Sequence, residues 1–494
     1  MLWKFLLLVP IIPLLQVQAQ PESEVDESAV IARVGPRSIT ARDLLERIDL
    51  MPWPGKDRPG SRDSAAIRAT LSLVAEKLLS LEATSIGIGL DSGSTERFES
   101  LERALARDAL YRQEVAARVA LNDEEIALAM KRLGAKLRLA LFAVGSEADA
   151  HALVRQLRKR TADAPRITVL QQDTVTITFG ELAEAHEDIA YALSHPFEAR
   201  ASFTRPSGWL ILQLLDRERN SDFLNLNMEE RQAAAQKALR KRKEATLASA
   251  YFVRMASGAP MRMDSLLFQR VADTLLAVIR REREAHRKGA AFGLLEEDVE
   301  GLLRSFRQRL HEPFITHGGD TITLGQTVGA MRFHPVQFRS LGWKTFVEDL
   351  HSAMITVAEA ELVSSHAMQQ HYNAHTDVRR DLQAWIESSQ TNELVSRFLD
   401  SLSARRMRDT IAGQLPVEPP HTSPDDPLNR YIGRLASKYG VTIDFLRVKQ
   451  LKVLPVNVVT RRYLGFGGTL PAVPLLPHLW EWYEAWDRAG RSAP

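Results

Sequence analysis

The chain has 494 residues, no cysteine, and 64 basic against 62 acidic side chains, a formal net charge of +2 at pH 7. That balance, reduced by one if Lys4 leaves with an export segment, selects neither nucleic acid nor an acidic surface. The missing cysteine excludes a lipoprotein anchor and a disulfide framework, and a chain this long can bury enough apolar surface without them. Length argues for two to four domains. A composition rich in Leu, Ala, Arg and Glu with sparse glycine favours helices.

Lys4, the apolar run Phe5–Leu15 and Val17-Gln18-Ala19 form the three parts of a cleavable export signal. Its apolar core of about eleven residues is too short to span a bilayer, which takes roughly 20. Cleavage after Ala19 is expected, leaving a soluble chain outside the cytoplasm that begins at Gln20. An uncleaved anchor over residues 5–15 is the alternative.

Val30–Val34 alternates as a strand, Gly35-Pro36 turns, Ile39 sits on a second short strand, and Thr40 caps a helix carrying Leu44, Leu45 and Ile48. Residues 64–85 place Leu71, Val74, Leu78 and Leu81 at helical spacing, with Gly87 and Gly89 as stops. Residues 94–118 give a further amphipathic helix, and Asn122 caps the next through Asp123-Glu124-Glu125. Residues 136–217 read as a small mixed domain. It has a strand at 136–144, a helix at 146–159 capped by Ser146, a helix at 181–193 and a closing strand at 208–217.

Residues 228–256 and 264–310 are predicted helical. The run Arg240-Lys241-Arg242-Lys243 is short and has no interleaved aromatics, so it reads as a solvated helix face rather than a nucleic-acid patch. Residues 314–350 repeat the opening theme: Ile315 on a strand, Gly318-Gly319 in the turn, Ile322-Thr323 on the returning strand, then helices. We read this as an internal duplication, against a coincidence of turn chemistry. Residues 415–427 carry five prolines and form a linker. A helix at 428–438 then leads to a strand at 442–445. The tail at 461–486 carries Trp480, Trp482 and Trp486. It is either a strap packed on the body or an exposed aromatic patch for a client, a membrane surface or a partner.

Three stretches carry a family resemblance. They are A-R-V-G-P-R-S-I-T-A-R-D-L just after the export signal, L-N-D-E-E-I at 121–126, and the mixed domain with S-E-A-D-A-H-A-L after its first strand and G-W-L-I-L-Q-L-L-D-R at its end. Together, over roughly residues 29–260, they resemble the periplasmic parvulin-type peptidyl-prolyl isomerase (rotamase) chaperones, SurA/PpiD-like. The resemblance implies an α+β, predominantly helical protein: a SurA-like helical core, a small inserted parvulin-like α/β domain and a second core-like repeat. The expected segments are 1–19 signal, 20–120 core, 121–218 parvulin-like domain, 219–310 helical segment, 311–414 second repeat, 415–427 linker and 428–494 C-terminal region. It also implies that residues 20–120, the helices after 228 and the C-terminal helix and strand form one discontinuous, client-binding domain.

Active members of that family weaken the amide before proline, a barrier near 20 kcal/mol, in a small pocket with two histidines. By resemblance those positions are Leu141, within Ala140-Leu141-Phe142, and Leu210, within Gly208-Trp209-Leu210-Ile211. The stretch from Lys159 to Phe179 lacks the Phe and glycine-rich segment of the pocket floor. His151 and His186 fall on helices and His195 precedes a proline. The expected site is therefore a degenerate pocket of Leu141, Phe142, Phe179, Trp209 and Leu210, with no catalytic residue, no metal and no cofactor, since a fold can outlive its chemistry.

No other constellation carries chemistry. His371 and His375 are four apart on one expected helical face with His366 a turn before, which could bring two imidazoles to a metal. Without accompanying carboxylates they read as a solvated polar face. Gly465-Phe466-Gly467-Gly468 lacks the Lys-Ser/Thr of a phosphate loop. The favoured function is an exported folding factor that binds unfolded outer-membrane or secreted polypeptides, with no nucleic acid and no stable membrane insertion. The alternatives are an active prolyl isomerase, and a non-catalytic scaffold subunit with one dedicated envelope partner.

Overall fold

The computed structural model describes residues 26–58, 60–88, 92–159, 167–204, 208–256, 259–283, 292–411 and 426–491. The expected export signal, the linker up to residue 425 and part of the stretch after Lys159 lie outside the described residues. The fold is α+β and predominantly helical.

The chain opens with β1 (Val30–Val34), β2 (Arg37–Thr40) and α1 (Ala41–Asp49), followed by the long helices α2 (Arg62–Ser85) and α3 (Ser92–Glu114). Gly35 makes the β1–β2 turn at φ +53°, where a side chain would be strained. Thr40 caps α1 in a reciprocal box: its Oγ1 accepts from Asp43 N at 3.2 Å, and Asp43 accepts from Thr40 N at 2.8 Å. Gly87, at φ +73°, stands two residues past the end of α2, as the spacing predicts.

Next come α4 (Asp123–Leu133), capped by Asn122 and Glu125, then β3 (Ala135–Val144), α5 (Glu147–Lys159), β4 (Val169–Ile177), α6 (Glu184–Ala192), β5 (Ala199–Thr204) and β6 (Gly208–Arg219). The four strands form one antiparallel sheet in the order β4-β3-β6-β5. A short α7 (Ser221–Leu224) leads into α8 (Met228–Ala256). Residues 110–261, with 317–319, make one compact unit. In it α8 packs on α4, with Ala235, Leu239, Ile126, Ala129, Leu133 and Phe179 in a shared apolar cluster. The long helix after 228 therefore belongs with the inserted sheet, not with the N-terminal core.

The other compact unit holds the remaining described residues. Here β7 (Met261–Met263) precedes α9 (Ser265–Arg283), β8 (Phe292–Gly293) and α10 (Glu296–Ser305). The stretch 264–310 is thus two helices broken by a strand, not one helical segment. β9 (Pro313–His317), β10 (Asp320–Thr323) and α11 (Leu324–Ala330) then repeat the opening, with Gly318 and Gly319 at positive φ and Thr323 boxed with Gln326. β11 (Gln337–Phe338) pairs with β8, and the helices α12 (Trp343–Gln369) and α13 (Thr376–Ile411) follow. The C-terminal region gives α14 (Pro427–Tyr439), β12 (Val441–Ile443), α15 (Phe445–Lys449), the hairpin β13 (Arg461–Tyr463) and β14 (Thr469–Pro471), and α16 (Trp482–Arg491).

β12 returns to pair with β1, Ala32 opposite Ile443 and Val34 opposite Val441, completing the sheet β12-β1-β2. Its core gathers Val34, Ile39, Leu44 and Ile48 with Val74 and Leu78 of α2, Ile432 of α14 and Trp482. Trp482 is fully buried and its indole donates to the Leu71 carbonyl at 3.1 Å. Trp53, His478 and Trp480 stack edge-on beside it. The aromatic tail is a strap.

Candidate functional site

The central strands β3 and β6 of the inserted sheet are buried on both faces over much of their length, and period-two alternation along them sorts the expected pocket residues between the two. Leu141 faces Leu212, and Leu210 stands opposite Ala143, so Leu141 and Leu210 share one face. They are 1% and 3% exposed in a cluster with Leu137, Leu139, Leu193 and Leu214. Phe142 and Trp209 point to the opposite face, against Ala150 and Leu153 of α5. Phe179 lies in a third cluster, between α4 and α8. The five residues expected to share one pocket are therefore dispersed over three.

A different polar pair occupies the Leu210 face. Ser202 on β5 is the cross-strand neighbour of Leu210, and its Oγ lies 2.8 Å from Nδ1 of His186 on α6. Both side chains are buried, and burial pushes the imidazole's pKa down, so it stays neutral near pH 7. The helix delivers an imidazole to the face where the resemblance expects one from a strand. Position 186 was visible in the sequence as a histidine on a helix. Its partner was not, because β5 has no strand signature.

The basic run on α8 is not a uniformly solvated face. Arg242 is buried, 2.7 Å from Asp188, 3.5 Å from Glu187 and 3.4 Å from Glu184, with its guanidinium over the Phe179 ring. Arg132 reaches the same ring and Asp188. Lys243 bonds Glu125 and the Ala120 carbonyl. Glu187 accepts from Gly180 N at 2.6 Å, yet burial raises its pKa. Three cations and four carboxylates thus tie α4, α6 and α8 to one another.

The histidines at 366, 371 and 375 do not share a helix. α12 ends at Gln369, His371 takes a left-handed φ of +61°, and the His375 ring packs tilted against Tyr372. Among the described residues no group of three metal-ligating side chains forms. The glycine loop is held by side chains of α3: its carbonyls accept from a cation, and Gly465 N donates to the Asp108 carboxylate at 2.9 Å. Arg107, fully buried, donates to Gly465 O at 3.1 Å, Gly467 O at 2.8 Å and Ser364 Oγ at 3.0 Å. Phe466, Gly467 and Gly468 all sit at positive φ to turn those carbonyls inward.

These features define a predominantly helical α+β protein with an inserted four-stranded antiparallel sheet. No protein-family model matches the chain, and no curated protein matches it. Among solved structures it is similar to the peptidylprolyl isomerase PrsA from Bacillus cereus, at 14% identity over 57% of this chain and 99% of that one, with a TM-score of 0.17. At that TM-score the likeness carries no weight, and function has to be argued from the residues. No helix among the described residues is long and apolar enough to cross a membrane.

Proposed function

We propose that the chain is an exported folding factor that binds unfolded polypeptides and that its inserted domain is parvulin-like in form without being a rotamase. The observation that carries this is the burial of Leu141 and Leu210 in a continuous hydrocarbon core at the positions where the motif resemblance expects imidazoles. Leucine at both positions supplies no group there to polarise or twist a prolyl amide. The expected export signal supports a site of action outside the cytoplasm, where unfolded outer-membrane or secreted chains would be the clients. N-terminal sequencing of exported protein should read from Gln20, and recovery of Met1 would make residues 5–15 an anchor.

The test pairs two assays on the mature chain. It should slow aggregation of an unfolded client at stoichiometric amounts and leave the cis–trans exchange of a proline peptide at its uncatalysed rate. Isomerisation accelerated by orders of magnitude would overturn the non-catalytic reading. His186 and Ser202 favour the second reading, an active isomerase with a relocated imidazole. In that case His186→Ala should abolish the acceleration while leaving aggregation suppression intact.

A further inference from the structure

The two strand–turn–strand–helix cores correspond position by position without insertion or deletion. Ile31 matches Phe314, Gly35 matches Gly318, Ile39 matches Ile322, and the capping Thr40 matches Thr323. β1 and β9 bury their second, third and fifth residues and expose their fourth. The segments that close the cores correspond as well: Val441–Val448 for the first and Met261–Phe268 for the second. In each, a three-residue strand is followed by an aspartate. Asp444 N donates to Ile31 O at 2.8 Å and Asp264 N to Phe314 O at 2.9 Å, the equivalent carbonyls. Asp444 Oδ1 accepts from Arg447 N at 3.0 Å and Asp264 Oδ1 from Leu267 N at 2.8 Å, starting the equivalent helices α15 and α9. A coincidence of turn chemistry explains two hairpins. It does not explain two aspartates bonding the same carbonyl.

The assignment is crossed. The closing segment that follows the first core in sequence, with β7, lies beside β9 in the sheet β10-β9-β7, and the segment that follows the second core, with β12, lies beside β1. We propose that the chain is a fused pair of half-molecules of one design, divided between α9 and β8, which complete each other by exchanging closing segments. Each half carries a docking surface whose partner is the other half's strand–Asp–helix segment. Exchange of an identical element between protomers is a low-cost route to association, and fusion makes it intramolecular. The first half carries the four-stranded sheet domain between its core and its closing segment. Between its core and its closing segment the second half has β11, α12, α13 and α14, and no such sheet among the described residues. The inference stands whatever the protein binds.

The test cuts the chain between residues 287 and 288 and coexpresses residues 20–287 with 288–494, a tag on one only. The halves should copurify at 1:1, and neither alone should show a cooperative melt. Halves that run as separate folded monomers, or a pair that yields no soluble complex while the intact chain is soluble, overturn the proposal. A second measurement uses the intact chain, which has no cysteine of its own. Arg33 and Thr442 face each other across β1 and β12 and are exposed. Arg33→Cys with Thr442→Cys should oxidise to an intramolecular crosslink in most molecules. Arg33→Cys with Arg262→Cys, the unexchanged pairing, should not. Crosslinking of the second pair, or of neither, overturns exchange.

Discussion

The two cores share a backbone plan and differ in how they treat one carboxylate. In the first, Glu76 of α2 is fully buried and held by Arg47 of α1 through two bonds of 2.8 Å. In the second, the equivalent positions are Glu359 of α12 and Ala330 of α11. The arginine is gone and the acid remains. Burial raises the pKa of Glu359 to about 7. A duplicated fold can thus keep its hydrogen-bonded hairpin and caps, which are set by backbone geometry, while its buried charges diverge. Hairpin and cap are local, whereas an ion pair needs two residues on different elements to be kept together.

The largest effect expected from breaking this comparison comes from removing residues 426–494. That deletes β12, α14 and Trp482 from the first core and leaves β7 in the second. Calorimetry should lose the transition of the first core and retain that of the second, and an unchanged thermogram would show that the closing segment is an appendage. Next is Arg47→Ala, which strands Glu76 without a cation and should cost about 3–5 kcal/mol in denaturant titration. Adding Glu76→Gln should recover part of that loss.

The pH response separates the cores further. The folded pKa of Glu359, about 7, lies above its reference value of 4.5. The folded state therefore holds the proton more tightly. Its contribution is complete below about pH 4.5 and is lost as pH rises toward 7. Discounted for partial exposure, the loss should be about 1–2 kcal/mol. Asp49, raised to about 6 by burial, acts in the same direction in the first core. His334, lowered to about 3, opposes both by costing stability as pH falls below its ordinary value. The difference between Glu359→Gln and the parent isolates the one group: the variant should gain at pH 8 and not at pH 4.5. Smallest are the caps. Thr40→Ala and Thr323→Ala should each cost about 1 kcal/mol, and a markedly unequal pair would mean that the two hairpins are not equivalent.

The sequence showed the elements whose signals are local. β1, β2 and α1 could be read from alternation, a glycine turn and a capping threonine, and their repeat at β9, β10 and α11 from the same signs. β4 and β5 were missed because both are edges of their sheet. β4 exposes most of its residues, and Ala199–Thr204 has little of the β-branched content that marks a strand. β7 was missed because Met261-Arg262-Met263 has no strand pattern of its own, and it becomes visible only when set against Val441-Thr442-Ile443. Of the site, the apolar character of Leu141 and Leu210 was legible. The face each residue takes was not assigned, so Phe142, Trp209 and Phe179 were grouped with them wrongly. The histidines at 366–375 misled because the helix stops at Gln369, where a left-handed turn overrides the spacing.

The exchange also sets a schedule. A chain delivered from its N-terminus presents β7 before β9 appears, so the second core can zip shut as soon as its own hairpin and helices emerge. β1 appears early but its neighbour β12 lies far downstream of it in the chain, and closure over so long a loop is slow and leaves apolar surface open meanwhile. Of the two cores, the one that begins first closes second.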